Sequence, residues 1–89
     1  MLSQTIAPYV LRTLAGYHFD GRSADLDMLV RDIGVRRADV RRTITALHHE
    51  GFVDAYRMRL TMAGFALGTV FMEINLPPLR SKTASSAAA

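Results

Sequence analysis

Apolar residues recur along this chain with a helical period, and glycines interrupt them. They fall at Leu26, Leu29, Val30 and Ile33, one face of a short helix, until Gly34 breaks the run. The period resumes at Val40, Ile44 and Leu47 and stops at Gly51. Two short amphipathic helices joined by a tight Gly-containing turn are predicted, a helix-turn-helix. Upstream, Ile6, Val10, Leu11 and Leu14 form the apolar face of a first helix. Ser3 or Thr5 would cap it, Pro8 suits its first turn, and Gly16 can end it. Residues 17–22 then read as a loop or very short strand with a turn at Asp20-Gly21. Ser23 is the expected cap of the next helix, with Asp25 and Asp27 placed for its dipole.

After Gly51 the period changes. Residues 52–56 alternate as a half-buried strand would, and residues 57–60 can return antiparallel to them. Thr61 is a natural N-cap for a last helix. That helix, read over residues 62–76, is apolar on nearly every face, with Glu73 as its single charge. A helix apolar all round has to be buried all round, and so small a chain cannot cover both its faces. A partner subunit is the expected cover, with Phe65, Leu67, Val70, Phe71 and Ile74 as the interface. The competing reading is a fragment whose missing domain covers it. A transmembrane role fails on length, since a span takes about 20 apolar residues.

The fold class expected is mainly α with a small β-hairpin. Residues 1–76 would form one domain, and residues 77–89, low in complexity, a disordered tail. Within that tail, Arg80 and Lys82 would add only weak, non-specific attraction to DNA.

Charge sharpens the picture. The predicted helix over residues 36–50 carries Arg36, Arg37, Arg41 and Arg42 near its start. At about 100° per residue, its side away from Val40, Ile44 and Leu47 holds Ala38, Arg42 and His49, flanked by Arg41 and Thr45. A helix entering a DNA major groove uses such a stripe. Arginine and threonine reach base edges and phosphates, and a small residue permits close approach. A solvated surface face is the alternative that the stripe alone leaves open. Net charge is +3, and ten of the eleven cationic residues are arginine, which favours bidentate contacts to an anionic partner.

The order helix-turn-helix, hairpin, helix resembles the winged helix-turn-helix transcriptional regulators of the MarR and ArsR type. Gly34-Val35, Val40, Ile44, Leu47, Gly51-Phe52-Val53 and Leu60-Thr61-x-x-Gly64 carry the resemblance, across residues 24–68. It implies a dimeric regulator that binds double-stranded DNA. Arg37, Ala38, Arg41, Arg42 and Thr45 would meet the major groove, and Arg36, His49, Arg57 and Arg59 the phosphates, although Arg57 and Arg59 read equally well as ordinary edge-strand charges. Two features depart from the pattern. Arg36 stands where that family has Ser, Thr or Asp, so about 1 kcal/mol of capping is missing, which Asp39 partly offsets through the helix dipole. The hairpin is also short and lacks an Asn-Gly or Asp-Gly turn, so a long wing is not expected. A winged-helix protein-interaction module docking an acidic partner is the alternative function.

Other chemistries find little support. The chain has no cysteine, hence no disulfide or thiolate metal site. It shows no nucleophile–base set, phosphate loop or paired carboxylates, so no enzyme, cofactor or metal is expected. His48 and His49, adjacent on a helix, diverge by about 100° and read as a surface pair. His18 reads as lone in its loop, and Tyr17 and Phe19 as core or interface aromatics. No effector pocket is evident, although a dimer interface containing Phe65 and Phe71 offers a place for one. No basic region precedes an apolar run at the N-terminus, so a cytoplasmic protein is expected.

Overall fold

The computed structural model describes residues 3–79. Among them the elements run α1 (Ser3–Phe19), α2 (Leu26–Ile33), α3 (Arg37–His49), β1 (Val53–Asp54), β2 (Arg59–Leu60) and α4 (Met62–Glu73). The chain is thus mainly helical with one small antiparallel hairpin, as the pattern predicts. No helix among these residues is long and apolar enough to cross a membrane.

The core forms where the helical faces converge. Ile6, Val10, Leu11 and Leu14 of α1 meet Leu29 of α2, Val40, Ile44 and Leu47 of α3, and Val53 of β1. All of these are buried. Fully burying such side chains contributes about 1.5–3 kcal/mol each, and this convergence holds the short α2 and α3 together.

Three local expectations are corrected. First, α1 does not end at Gly16. It continues to Phe19 because Tyr17 is needed inside, where it is buried and its hydroxyl donates to the Asp32 carboxylate of α2. The stop is Gly21, in the left-handed region at φ 69°. Its N–H bonds the His18 carbonyl at 3.1 Å and the Arg22 N–H bonds Tyr17 at 2.9 Å, a Schellman cap. Second, Pro8 lies inside α1 and not at its start. Third, Asp25 caps α2, accepting from the Met28 N–H at 2.8 Å. Ser23 stands too far upstream of Leu26 to do so.

The hairpin pairs Val53 with Leu60 and Asp54 with Arg59. Its reversal is an Asx turn at Asp54 rather than a Gly-containing turn. The Asp54 carboxylate accepts from the N–H groups of Tyr56 at 3.0 Å and Arg57 at 3.3 Å, and Met58 turns through φ 52°. His48 braces the same turn, its Nδ1 accepting from the Ala55 N–H at 3.1 Å. His48 is therefore half-buried and structural, and not a surface residue, although its ring still meets that of exposed His49 edge to face, 6.0 Å between centroids.

Thr61 closes the hairpin. Its hydroxyl donates to the Gly51 carbonyl at 2.6 Å and accepts from the Gly64 N–H at 3.1 Å, capping α4. Helix α4 then lies on α1 through buried Gly68 and on the hairpin flanks, Phe52 and Leu60, through buried Gly64. Residues 77–79 follow without regular structure, but they sit against the body. Tyr9 donates its hydroxyl to the Pro77 carbonyl, and Leu79 packs on the core. The rest of the expected tail lies outside the described residues.

Candidate nucleic-acid interface

Helix α3 divides cleanly by exposure. Val40, Thr43, Ile44 and Leu47 are buried, while Ala38, Arg41, Arg42, Thr45 and His49 are exposed. Spacings of four, three and four residues place Ala38, Arg42, Thr45 and His49 on one stripe. Arg36 stands at the N-cap in extended backbone and makes no side-chain cap, so its side chain points outward into solvent. Thr45 bonds back to the Arg41 carbonyl at 3.0 Å, which leaves its oxygen able to accept.

The arginines differ in their electrostatic surroundings. Asp39 is buried in the first turn of α3, and its carboxylate lies 3.7 Å from Arg36 and 3.8 Å from Arg42. Arg37 is paired with Asp27 of α2, and Arg57 lies 3.9 Å from Asp54 within the hairpin. Arg41 and Arg59 have no acidic partner among the described residues. The Arg37–Asp27 and Arg57–Asp54 pairs are weak and screened by salt, and Arg36 and Arg42 keep their own guanidiniums exposed although Asp39 is buried, so all four can turn to a stronger anion.

One exposed side chain at this end of the molecule was missed. Tyr56 is 90% exposed in the hairpin turn, and its ring lies 5.3 Å from that of His48 at the end of α3. An aromatic residue beside Arg57 in a predicted turn was the available signal.

The residues expected at a subunit interface separate into two groups. Leu67 and Phe71 are half-buried and pack on the chain's own core. Phe65 meets His18 at 4.8 Å and Phe19 at 5.4 Å, ring to ring. His18 therefore sits in the last turn of α1 among aromatics, not alone in a loop. Val70 and Ile74 are exposed, as are Met62, Ala66 and Met72.

No family model matches the chain, and neither does any curated protein or solved structure compared with it.

Proposed function

We propose that this chain is a winged helix-turn-helix protein that binds double-stranded DNA as a homodimer and regulates transcription in the cytoplasm. The observation that carries the reading is the exposed stripe of α3, whose opposite face anchors it in the core. Arg37, Ala38, Arg41, Arg42 and Thr45 would enter the major groove. Arg36, His49, Arg57 and Arg59 would contact phosphates. The carboxylate of Asp39 would release Arg36 and Arg42 as DNA phosphates replace it.

The homodimer rests on α4. Met62, Ala66 and Val70 recur at four-residue spacing and are all exposed, with Ile74 one turn further on. These residues, rather than Leu67 and Phe71, would meet the second copy.

A protein-interaction module is the second reading. It is favoured by the pairing of Arg36, Arg37, Arg42 and Arg57 with acids of the same chain, which lowers the bare positive field. The two readings separate in a titration with random duplex DNA at two salt concentrations. The Arg41→Ala/Arg42→Ala variant should stay folded and bind more weakly. A phosphate-contacting arginine lowers the salt slope by about one, and a base-reading one costs about 1–3 kcal/mol at a single position. Affinity and slope equal to those of the wild type would remove α3 as the DNA-reading element.

A further inference from the structure

A cleft of about 700 Å³ opens between the end of α1, the loop to α2, the hairpin and the start of α4. Its lining is unbalanced in charge. Arg22, Arg57 and Arg59 border it, and no aspartate or glutamate does. Aromatic groups supply another part of the wall: Tyr17, His18 and Phe65. The Arg22 guanidinium lies over the Tyr17 ring, 5.0 Å from its centroid, which holds the cation at the border of the cleft. Ser23 adds a hydroxyl that α2 does not use, because Asp25 supplies that cap.

We propose that this cleft binds a phosphate monoester carried on a planar aromatic body. The head group follows from charge. Three guanidiniums bordering one space, of which only Arg57 is ion-paired with a carboxylate among the described residues (Asp54, 3.9 Å, outside the lining), suit a dianion with three acceptor oxygens better than a single carboxylate. The body follows from size and lining. The volume falls within the range of small-molecule sites, about 300–1,000 Å³, and far exceeds what a phosphate fills. A flat ring has the faces and edges of Phe65 and His18 to pack against. The site is distinct from the α3 stripe, and Arg22 belongs to it alone.

Adenosine monophosphate is the probe, titrated into the full chain without DNA and followed by amide and methyl NMR. Saturable shifts are expected at Tyr17, Arg22, Arg59 and Phe65. Adenosine and inorganic phosphate should each bind at least about tenfold more weakly, since each supplies half of the contacts. Arg22→Ala and Arg59→Ala should each lower the affinity for adenosine monophosphate, with the Leu29 and Val40 methyl resonances unmoved as the check on folding. The proposal is overturned if inorganic phosphate binds as well as the nucleotide, if the shifts map to α3, or if no saturable shift occurs at millimolar nucleotide. Since DNA is absent from the titration, its outcome is independent of the DNA-binding reading. In a separate duplex titration, Arg22→Ala should leave DNA affinity unchanged.

Discussion

Gly68 of α4 lies so close to the backbone of Leu11 in α1 that a Cβ on it would sit 2.7 Å from the Leu11 carbonyl oxygen. One turn earlier, a Cβ on Gly64 would fall 1.8 Å from the carbonyl oxygen of Phe52. The two glycines form the contact stripe by which α4 lies on α1 and on the entry to the hairpin. Alanine is the better helix former by about 1 kcal/mol, so propensity alone would make Gly→Ala stabilising. Here the obstructing atoms are backbone and cannot rotate away. Gly68→Ala should destabilise the fold by about 1–3 kcal/mol, and Gly64→Ala by more, as read from urea midpoints. A rise in either midpoint would show that α4 packs elsewhere.

Stability should change with pH through Tyr17 and Asp32. Burial, and then the Asp32 carboxylate, push the Tyr17 phenol well above its ordinary value of 10.0. The Tyr17 hydrogen bond holds Asp32 below the usual carboxylate value of 3.8. A depressed carboxylate stabilises the fold above its unfolded pKa and loses that contribution as pH falls through the folded value. A raised phenol stabilises below 10 and loses that contribution as pH climbs beyond it. The profile should therefore fall at both ends, below about pH 4 and above about pH 10. Tyr17→Phe should flatten the alkaline fall and weaken the acid one. Thermal melts across the pH range would show this, and an unchanged alkaline limb in Tyr17→Phe would sink the assignment.

Asp39 is expected to oppose DNA binding while supporting the fold. Asp39→Asn removes a negative charge from between Arg36 and Arg42. Affinity for random duplex should increase, most at low salt, because the cations no longer have to leave a carboxylate. Stability should drop by about 1–3 kcal/mol as a buried acceptor is weakened. Paired DNA titrations and denaturant melts measure both. Weaker DNA binding by a folded Asp39→Asn protein would place Asp39 among the groups that position the arginines.

The proposed dimer makes two neighbouring positions behave differently. Val70 is 50% exposed, whereas Phe71 packs on the core. Val70→Glu should convert a dimer to a folded monomer in light scattering, with the helical circular dichroism retained. Phe71→Glu should unfold the chain, since it drives a charge against the core. A wild-type monomer at micromolar concentration would exclude the dimer outright.

What could be learned from the sequence was whatever local periodicity and local chemistry decide. The apolar faces of α2 and α3 followed from the spacing of Leu26, Leu29, Val40, Ile44 and Leu47. The cap at Thr61, the uncapped Arg36 and the shortness of the hairpin followed from residue types whose hydrogen-bonding capacity is fixed. Long-range geometry decided the rest. Whether α1 stops at Gly16 or Gly21 depends on Tyr17 finding Asp32, a partner 15 residues away that local pattern does not specify. His48 became a brace because the hairpin folds back onto the end of α3 and brings the Ala55 N–H to its ring. An all-round apolar α4 reads as one uniform surface in sequence, and only its seat on α1 and the hairpin separates inward Gly64, Gly68 and Phe71 from outward Met62 and Val70. The cleft is the extreme case: Arg22, Arg57 and Arg59 border one space because the loop after α1 lies opposite the hairpin, a juxtaposition that no spacing along the chain encodes.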